Sequence, residues 1–115
     1  MSITIFHNPR CSKSRQTLAL LEENGVTPDV FEYLKSPVTV ELLTSIVTKL
    51  GVNVRDIIRK KEAEFKETGL DNQSLTDAEI YTILVNTPKL IERPIVINGD
   101  KAAIGRPPEN VLAIL

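Results

Sequence analysis

The stretch ITIFHNPRCSKSR, residues 3–15, changes character twice. Ile3-Thr4-Ile5-Phe6 is a short β-rich run. Asn8-Pro9 is a turn signal. From Ser12 the spacing turns helical: Leu18 and Leu21, with Ala19, form one apolar face, and Gly25 after Asn24 is a natural stop. The only cysteine of the chain, Cys11, therefore falls where a loop enters a helix. Val30-Phe31-Glu32-Tyr33 reads as a second strand. The order β, α, β predicts a parallel pair with a right-handed crossover.

Beyond that unit the sequence reads as helical. Thr39 can cap a helix with Leu42, Leu43, Ile46, Val47 and Leu50 on one face and Gly51 as its stop. Asn53 can cap another, through Ile57 and Ile58 to a basic end at Arg59-Lys60-Lys61. Residues 62–74 read as a loop or a loose helical turn. Thr76-Asp77-Ala78-Glu79 is a capping box flanked by a Leu75–Ile80 staple, and its helix should end near Asn86, before Pro88. The period then changes. Ile95-Val96-Ile97 is a strand, Asn98-Gly99-Asp100 a turn, and Lys101 to Ile104 the returning strand. Pro107-Pro108-Glu109 can open a last helix with Val111, Leu112 and Ile114 inward. The expected fold is α/β: a small mixed β-sheet with helices on both faces. This is the element order of a single thioredoxin-like domain, residues 1–115, with an inserted helical region at about 39–88.

The totals agree with such a domain. A chain of 115 residues suits one core. Hydrophobic residues at 42% and charged residues at 25% place it among ordinary globular proteins. A net charge of −1 favours neither nucleic acid nor an anionic membrane as partner. No apolar run approaches the ~20 residues that span a bilayer, and no signal peptide is evident at the N-terminus. One cysteine makes no internal disulfide, so a reducing cytoplasm is the expected compartment. The expected state is a monomer.

Cys11 is placed to react. Unpaired N–H groups and the dipole at a helix N-terminus favour a thiolate. Arg10, Lys13 and Arg15 add positive charge, His7 could add more when protonated, and Ser12 and Ser14 offer hydroxyl donors to the sulfur. A lone cysteine is more often a small buried hydrophobe, but Cys11 sits in a polar turn rather than on an apolar face. Ser14 excludes a Cys-x-x-Cys dithiol. Thr17 stands where a tyrosine-phosphatase loop would have its arginine. A papain-like site lacks its second histidine segment, since His7 is the only histidine. One Cys and one His do not fill a zinc site, so no metal is expected. Arg59, Arg93 and Arg106 stand out for their contexts: Arg59 at the expected end of an apolar-faced helix, the other two each before a proline. A thiolate with several guanidinium groups suits an oxyanion, whose oxygens match the fixed fork of donors on arginine.

These features together resemble the glutaredoxin-linked arsenate reductase (ArsC) family. The resemblance covers nearly the whole chain, most clearly ITIFHNPRCSKSR, VNVRDIIRKK and LIERPIVINGDKAAIGRPPENVL. It implies a thioredoxin-like fold with catalytic Cys11, His7 and Ser14 tuning the thiolate, and Arg59, Arg93 and Arg106 as the anion site, supported by Arg15. It implies that Pro94 is the cis-proline facing the active-site loop. It implies arsenate as substrate, glutathione as cosubstrate, glutaredoxin as partner and no bound cofactor. The end at Leu115 looks like the shorter, chromosomal members. Two other readings of this fold stay open. One is a glutathione-dependent thiol reductase or transferase whose arginines hold a glutathione carboxylate. The other is a Spx-like regulator that binds RNA polymerase, against which Cys-x-x-Ser counts.

Overall fold

Alternation in Ile3-Thr4-Ile5-Phe6 sends Ile3 and Ile5 to one side of a strand and Phe6 to the other. That strand, β1 (Ile3–Phe6), forms inside a four-stranded sheet of order β2-β1-β3-β4, with β2 Asp29–Phe31, β3 Ile95–Asn98 and β4 Lys101–Ile104. β1 runs parallel to β2 and antiparallel to β3, and β3 and β4 are antiparallel. The computed structural model describes residues 3–115. The chain divides into two compact units. The sheet belongs to one, made of the N-terminal segment up to Ser36 and of Arg93–Leu115; the other is Pro37–Glu92.

In the sheet unit, Ile5, Val96, Leu21 and Val111 are wholly buried together, and Ile3, Leu18, Leu20, Val26, Ala103 and Ile114 pack around them. Each such buried aliphatic side chain contributes about 1.5–3 kcal/mol. The helix α1 (Ser12–Glu23) supplies Leu21. It ends where Gly25, at φ 77°, lets its own N–H reach Glu22 and that of Val26 reach Leu21. The buried stripe of α1 is Ser14, Thr17 and Leu21, and Ala19, expected inward, is exposed because it lies off that stripe. The second strand is Asp29–Phe31 rather than Val30–Tyr33, because the Glu32 carbonyl closes a turn by accepting from Lys35 and Ser36. Tyr33 leaves the ladder and stays buried by stacking on Phe6, with ring centroids 5.8 Å apart; Phe31 stacks on the same ring at 4.9 Å.

Asn98 and Lys101 pair across a two-residue Gly99-Asp100 turn, with Gly99 at φ 63°. The chain after Pro107 is a 3₁₀ helix, Pro108–Ile114, not an α-helix. Its three-residue period aligns Pro108, Val111 and Ile114 inward. Leu112 falls off that line and is 41% exposed, against the sequence expectation. The Asn98 amide donates to the Ile114 carbonyl at 2.6 Å and ties this turn to β3.

The unit Pro37–Glu92 contains α2 (Val40–Leu50), α3 (Glu64–Glu67) and α4 (Asp77–Asn86). Thr39 caps α2 by accepting from the Leu42 N–H. Thr76 and Glu79 exchange backbone-to-side-chain bonds at the start of α4. The two helices pack on one another through an apolar stripe on each, Leu43, Ile46 and Val47 on α2 and Ile80, Tyr81 and Leu84 on α4. The helix expected from Asn53 to Lys61 does not form. Val54–Ile57 is a single 3₁₀ turn, after which Ile58 is extended and bridges antiparallel to Ile91. The Arg59 N–H donates to Leu90 and the Glu92 N–H to Ile57, each at 2.7 Å. Ile58 is β-branched, and extended pairing suits it better than a helical end. Residues 62–74 hold only the short α3 and turns. Among the described residues, no helix is long and apolar enough to cross a membrane.

Arg55 is part-exposed and held by backbone carbonyls. Its Nη1 donates to the Leu70 carbonyl at 3.2 Å and its Nη2 to that of Asn72 at 2.9 Å. Arg55→Ala should therefore destabilise the protein by about 1–2 kcal/mol in urea unfolding, the scale of charged hydrogen bonds to neutral acceptors in a part-exposed site. An unchanged midpoint would show that these bonds hold nothing.

Candidate active site

The loop that carries Cys11 is fixed from several directions. Asn8-Pro9-Arg10-Cys11 is a β-turn closed by the Cys11 N–H donating to the Asn8 carbonyl at 2.9 Å. The Asn8 side chain accepts from the Arg10 N–H at 3.0 Å, which makes an Asx turn inside it. The Asn8 N–H donates to Ser14 Oγ at 3.0 Å, and Arg15 Nη1 to the Pro9 carbonyl at 2.8 Å. Cys11 is the N-cap of α1, with extended backbone, and its carbonyl takes the first helical bond from Arg15. Its side chain is largely buried.

His7 and Ser14 form a buried pair, Ser14 Oγ and His7 Nδ1 lying 2.7 Å apart. Ser14 has one hydroxyl proton. With Oγ accepting from Asn8, that proton suits Nδ1 of a neutral imidazole whose own proton is on Nε2. Burial lowers the His7 pKa from its ordinary 6.5; Glu32 acts to raise it, and Arg15 to lower it further. So His7 is not the added cation that the sequence allowed. The Ser14 hydroxyl goes to His7 and Asn8, not to the sulfur. Arg15 clamps the loop.

The cation at the sulfur is Arg106. Its Nη2 lies 3.5 Å from Cys11 Sγ, and its Nε donates to the Arg93 carbonyl at 2.7 Å. A guanidinium there sets cationic donors beside the sulfur. Arg93 sits at the opposite end of that bond, with its Nε and Nη1 shielded from solvent. The Arg93–Pro94 peptide is cis, as is Arg106–Pro107, and the Pro94 carbonyl accepts from the Gly105 N–H at 2.9 Å. Arg59 lies in the other unit, where its Nη1 pairs with Glu62 at 2.7 Å; Glu62 also meets Lys89, which pairs with Glu64 at 2.7 Å. Among the described residues, no group of three or more His, Cys, Asp or Glu side chains is placed to hold a metal. Sequence reasoning passed over Thr17 and Gly105. Thr17 is fully buried and donates to the Lys13 carbonyl. Its signal was the spacing of Cys11, Ser14, Thr17 and Leu21 along one helical stripe.

Residues 6–114 match the profile of the ArsC family. A protein of Haemophilus influenzae named arsenate reductase is 53% identical over the full length of both chains. An arsenate reductase of Escherichia coli K12 is 37% identical, over 99% of this chain and 81% of its own. The solved structure of an arsenate reductase from Vibrio cholerae superposes with a TM-score of 0.97 at 49% identity, over 100% of this chain and 98% of that one.

The His7 assignment has a direct check, since the chain has one histidine. The imidazole NMR titration should have its midpoint below 6.5. Ser14→Ala should move it up, by removing a bond to the neutral form. Because the folded value is depressed, the unfolded chain takes up the proton first as pH falls. The stability due to His7 is complete above 6.5 and is lost as pH falls from there through the folded value. A midpoint above 6.5 would make His7 a resident cation and contradict the neutral pair.

Proposed function

The chain belongs to the ArsC family and has its thioredoxin-like fold, and on that basis we propose that it is an arsenate reductase working through Cys11. The observation that carries the reading is the 3.5 Å approach of Arg106 to the Cys11 sulfur at the start of α1. The thiolate attacks arsenic of arsenate, forming a sulfur–arsenic bond as hydroxide leaves. Arg106 holds charge on the thiolate first and on the arsenate oxygens next. We assign the Arg93 guanidinium to the same oxyanion; its carbonyl accepts the Arg106 Nε bond.

Reduction of As(V) to As(III) takes two electrons, which two thiols supply in becoming a disulfide. The chain's one thiol bonds arsenic and is regenerated, so both of those thiols come from outside. Glutathione adds to the Cys11 adduct with loss of water. A glutaredoxin thiolate then attacks the glutathione sulfur. The pair of the broken sulfur–arsenic bond stays on arsenic, and a glutathione–glutaredoxin disulfide leaves. Water releases arsenite and restores Cys11. The neutral His7–Ser14 pair fixes the loop during these steps, and the reducing cytoplasm supplies the cosubstrate.

The test is an arsenate reduction assay with glutathione, with and without glutaredoxin. Turnover should need both thiols and should vanish in Cys11→Ser, whose hydroxyl is a far weaker nucleophile. Arg93→Ala and Arg106→Ala should each lower kcat/KM by about tenfold to a hundredfold, the scale of one guanidinium–oxyanion contact. Arg106→Lys should recover part of that, keeping the charge and losing the fork. Lys101→Ala, exposed at the far end of β4, is the control. Equal loss in Lys101→Ala and Arg106→Ala would reduce the effect to general charge, and turnover in Cys11→Ser near the wild-type rate would remove Cys11 as catalyst.

A further inference from the structure

Gly105 is not a glycine used for backbone freedom. The positive-φ glycines are Gly25, Gly51, Gly69 and Gly99. The constraint at Gly105 is space. A Cβ there would stand 2.6 Å from Thr17 Oγ1, 2.8 Å from Pro94 Cγ and 3.1 Å from Thr17 Cγ2. None of these is a loose end. Thr17 is fully buried and its Oγ1 is held by the Lys13 carbonyl at 2.8 Å. Pro94 is a buried ring, and its carbonyl accepts from Gly105 itself at 2.9 Å. The next residue repeats the attachment one step along, Arg106 Nε donating to the Arg93 carbonyl. The end of β4 is thus drawn onto Arg93-Pro94 by two adjacent bonds, and against α1 at Thr17.

We infer that Gly105 is a positioning residue for the reaction at Cys11: its missing side chain lets the end of β4 close on Pro94 and Thr17, and so sets the Arg106 guanidinium against the sulfur. A methyl group at 105 needs several tenths of an ångström of room on both sides. The opening would loosen the Gly105–Pro94 and Arg106–Arg93 bonds together and carry the guanidinium away from Sγ. This deepens the proposed function, since it rests on the same Cys11–Arg106 pair.

The test uses no arsenate, so its outcome is separable from the arsenate reading. Cys11 is the only cysteine, and its alkylation rate can be measured with anionic iodoacetate and with neutral iodoacetamide. The ratio of the two rates reads positive charge at the sulfur, and a merely destabilised fold alters both rates together. Arg106→Ala should lower the ratio by about fivefold, the scale of one unit charge at contact distance in a watery medium. Gly105→Ala should lower it to about the same level. Adding Arg106→Ala to Gly105→Ala should lower it no further, because the guanidinium has already left. Gly105→Ala with Thr17→Ala removes the 2.6 and 3.1 Å contacts but keeps Pro94 at 2.8 Å, so the ratio should recover part of the way. If Gly105→Ala alone does not fold, the double variant carries the test, with the same intermediate ratio expected. The proposal is overturned by a wild-type ratio in Gly105→Ala, or in the double variant where only that one folds. It is overturned equally by an Arg106→Ala ratio like wild type. If neither Gly105 variant folds, the glycine serves the fold rather than Arg106, and the positioning role is wrong.

Discussion

One guanidinium joins the parts of this protein that otherwise share no local sequence. Arg106 donates through Nε to the Arg93 carbonyl and through Nη2 toward Cys11. The first bond fixes the segment before β3 against the segment after β4. The second brings both to the N-terminus of α1. A sulfur at a helix start meets only the partial charges of backbone N–H groups. Here a full cation stands 3.5 Å away, oriented by its own second bond. The four-stranded sheet is the frame that makes the encounter possible, because β1 leads directly into the cysteine loop and pairs with β3, which begins just after Pro94.

The polar residues beneath the loop work differently from those above it. His7 and Ser14 are buried, and burial opposes a charged imidazole. Their contribution is therefore geometric. Ser14 joins the end of β1 to the Asn8 turn through one oxygen, while Arg15 holds the same turn at Pro9. A neutral pair holds the loop, and a separate cation stands at the sulfur.

Much of this was legible because it is local. The Thr39 and Thr76 caps, the Gly25 stop, the Asn8 turn and the β–α entry at Cys11 each depend on residues a few positions apart. The larger failures come from partners distant in the chain. Ile58 abandoned a helix for Ile91, and with it Arg59 lost its expected helical end. The acceptors of Arg55, the Leu70 and Asn72 carbonyls, lie 15 and 17 residues further on. Leu112 was placed inward on a helical period, but the C-terminal turn has a period of three. The arginines were legible as a set by type and by their Arg-Pro contexts. That Arg106 is the one at the sulfur, and that Gly105 brings it there, depends on distances no spacing encodes.

If Cys11 and Arg106 form one oxyanion-binding, nucleophilic site, an oxyanion bound there must shield the sulfur. The measurement is the rate of Cys11 alkylation by iodoacetamide as arsenate concentration is raised, without glutathione. Saturable protection is expected in the wild-type protein, with its loss in Arg106→Ala at the same concentrations. An alkylation rate indifferent to arsenate in the wild-type protein would contradict the shared site.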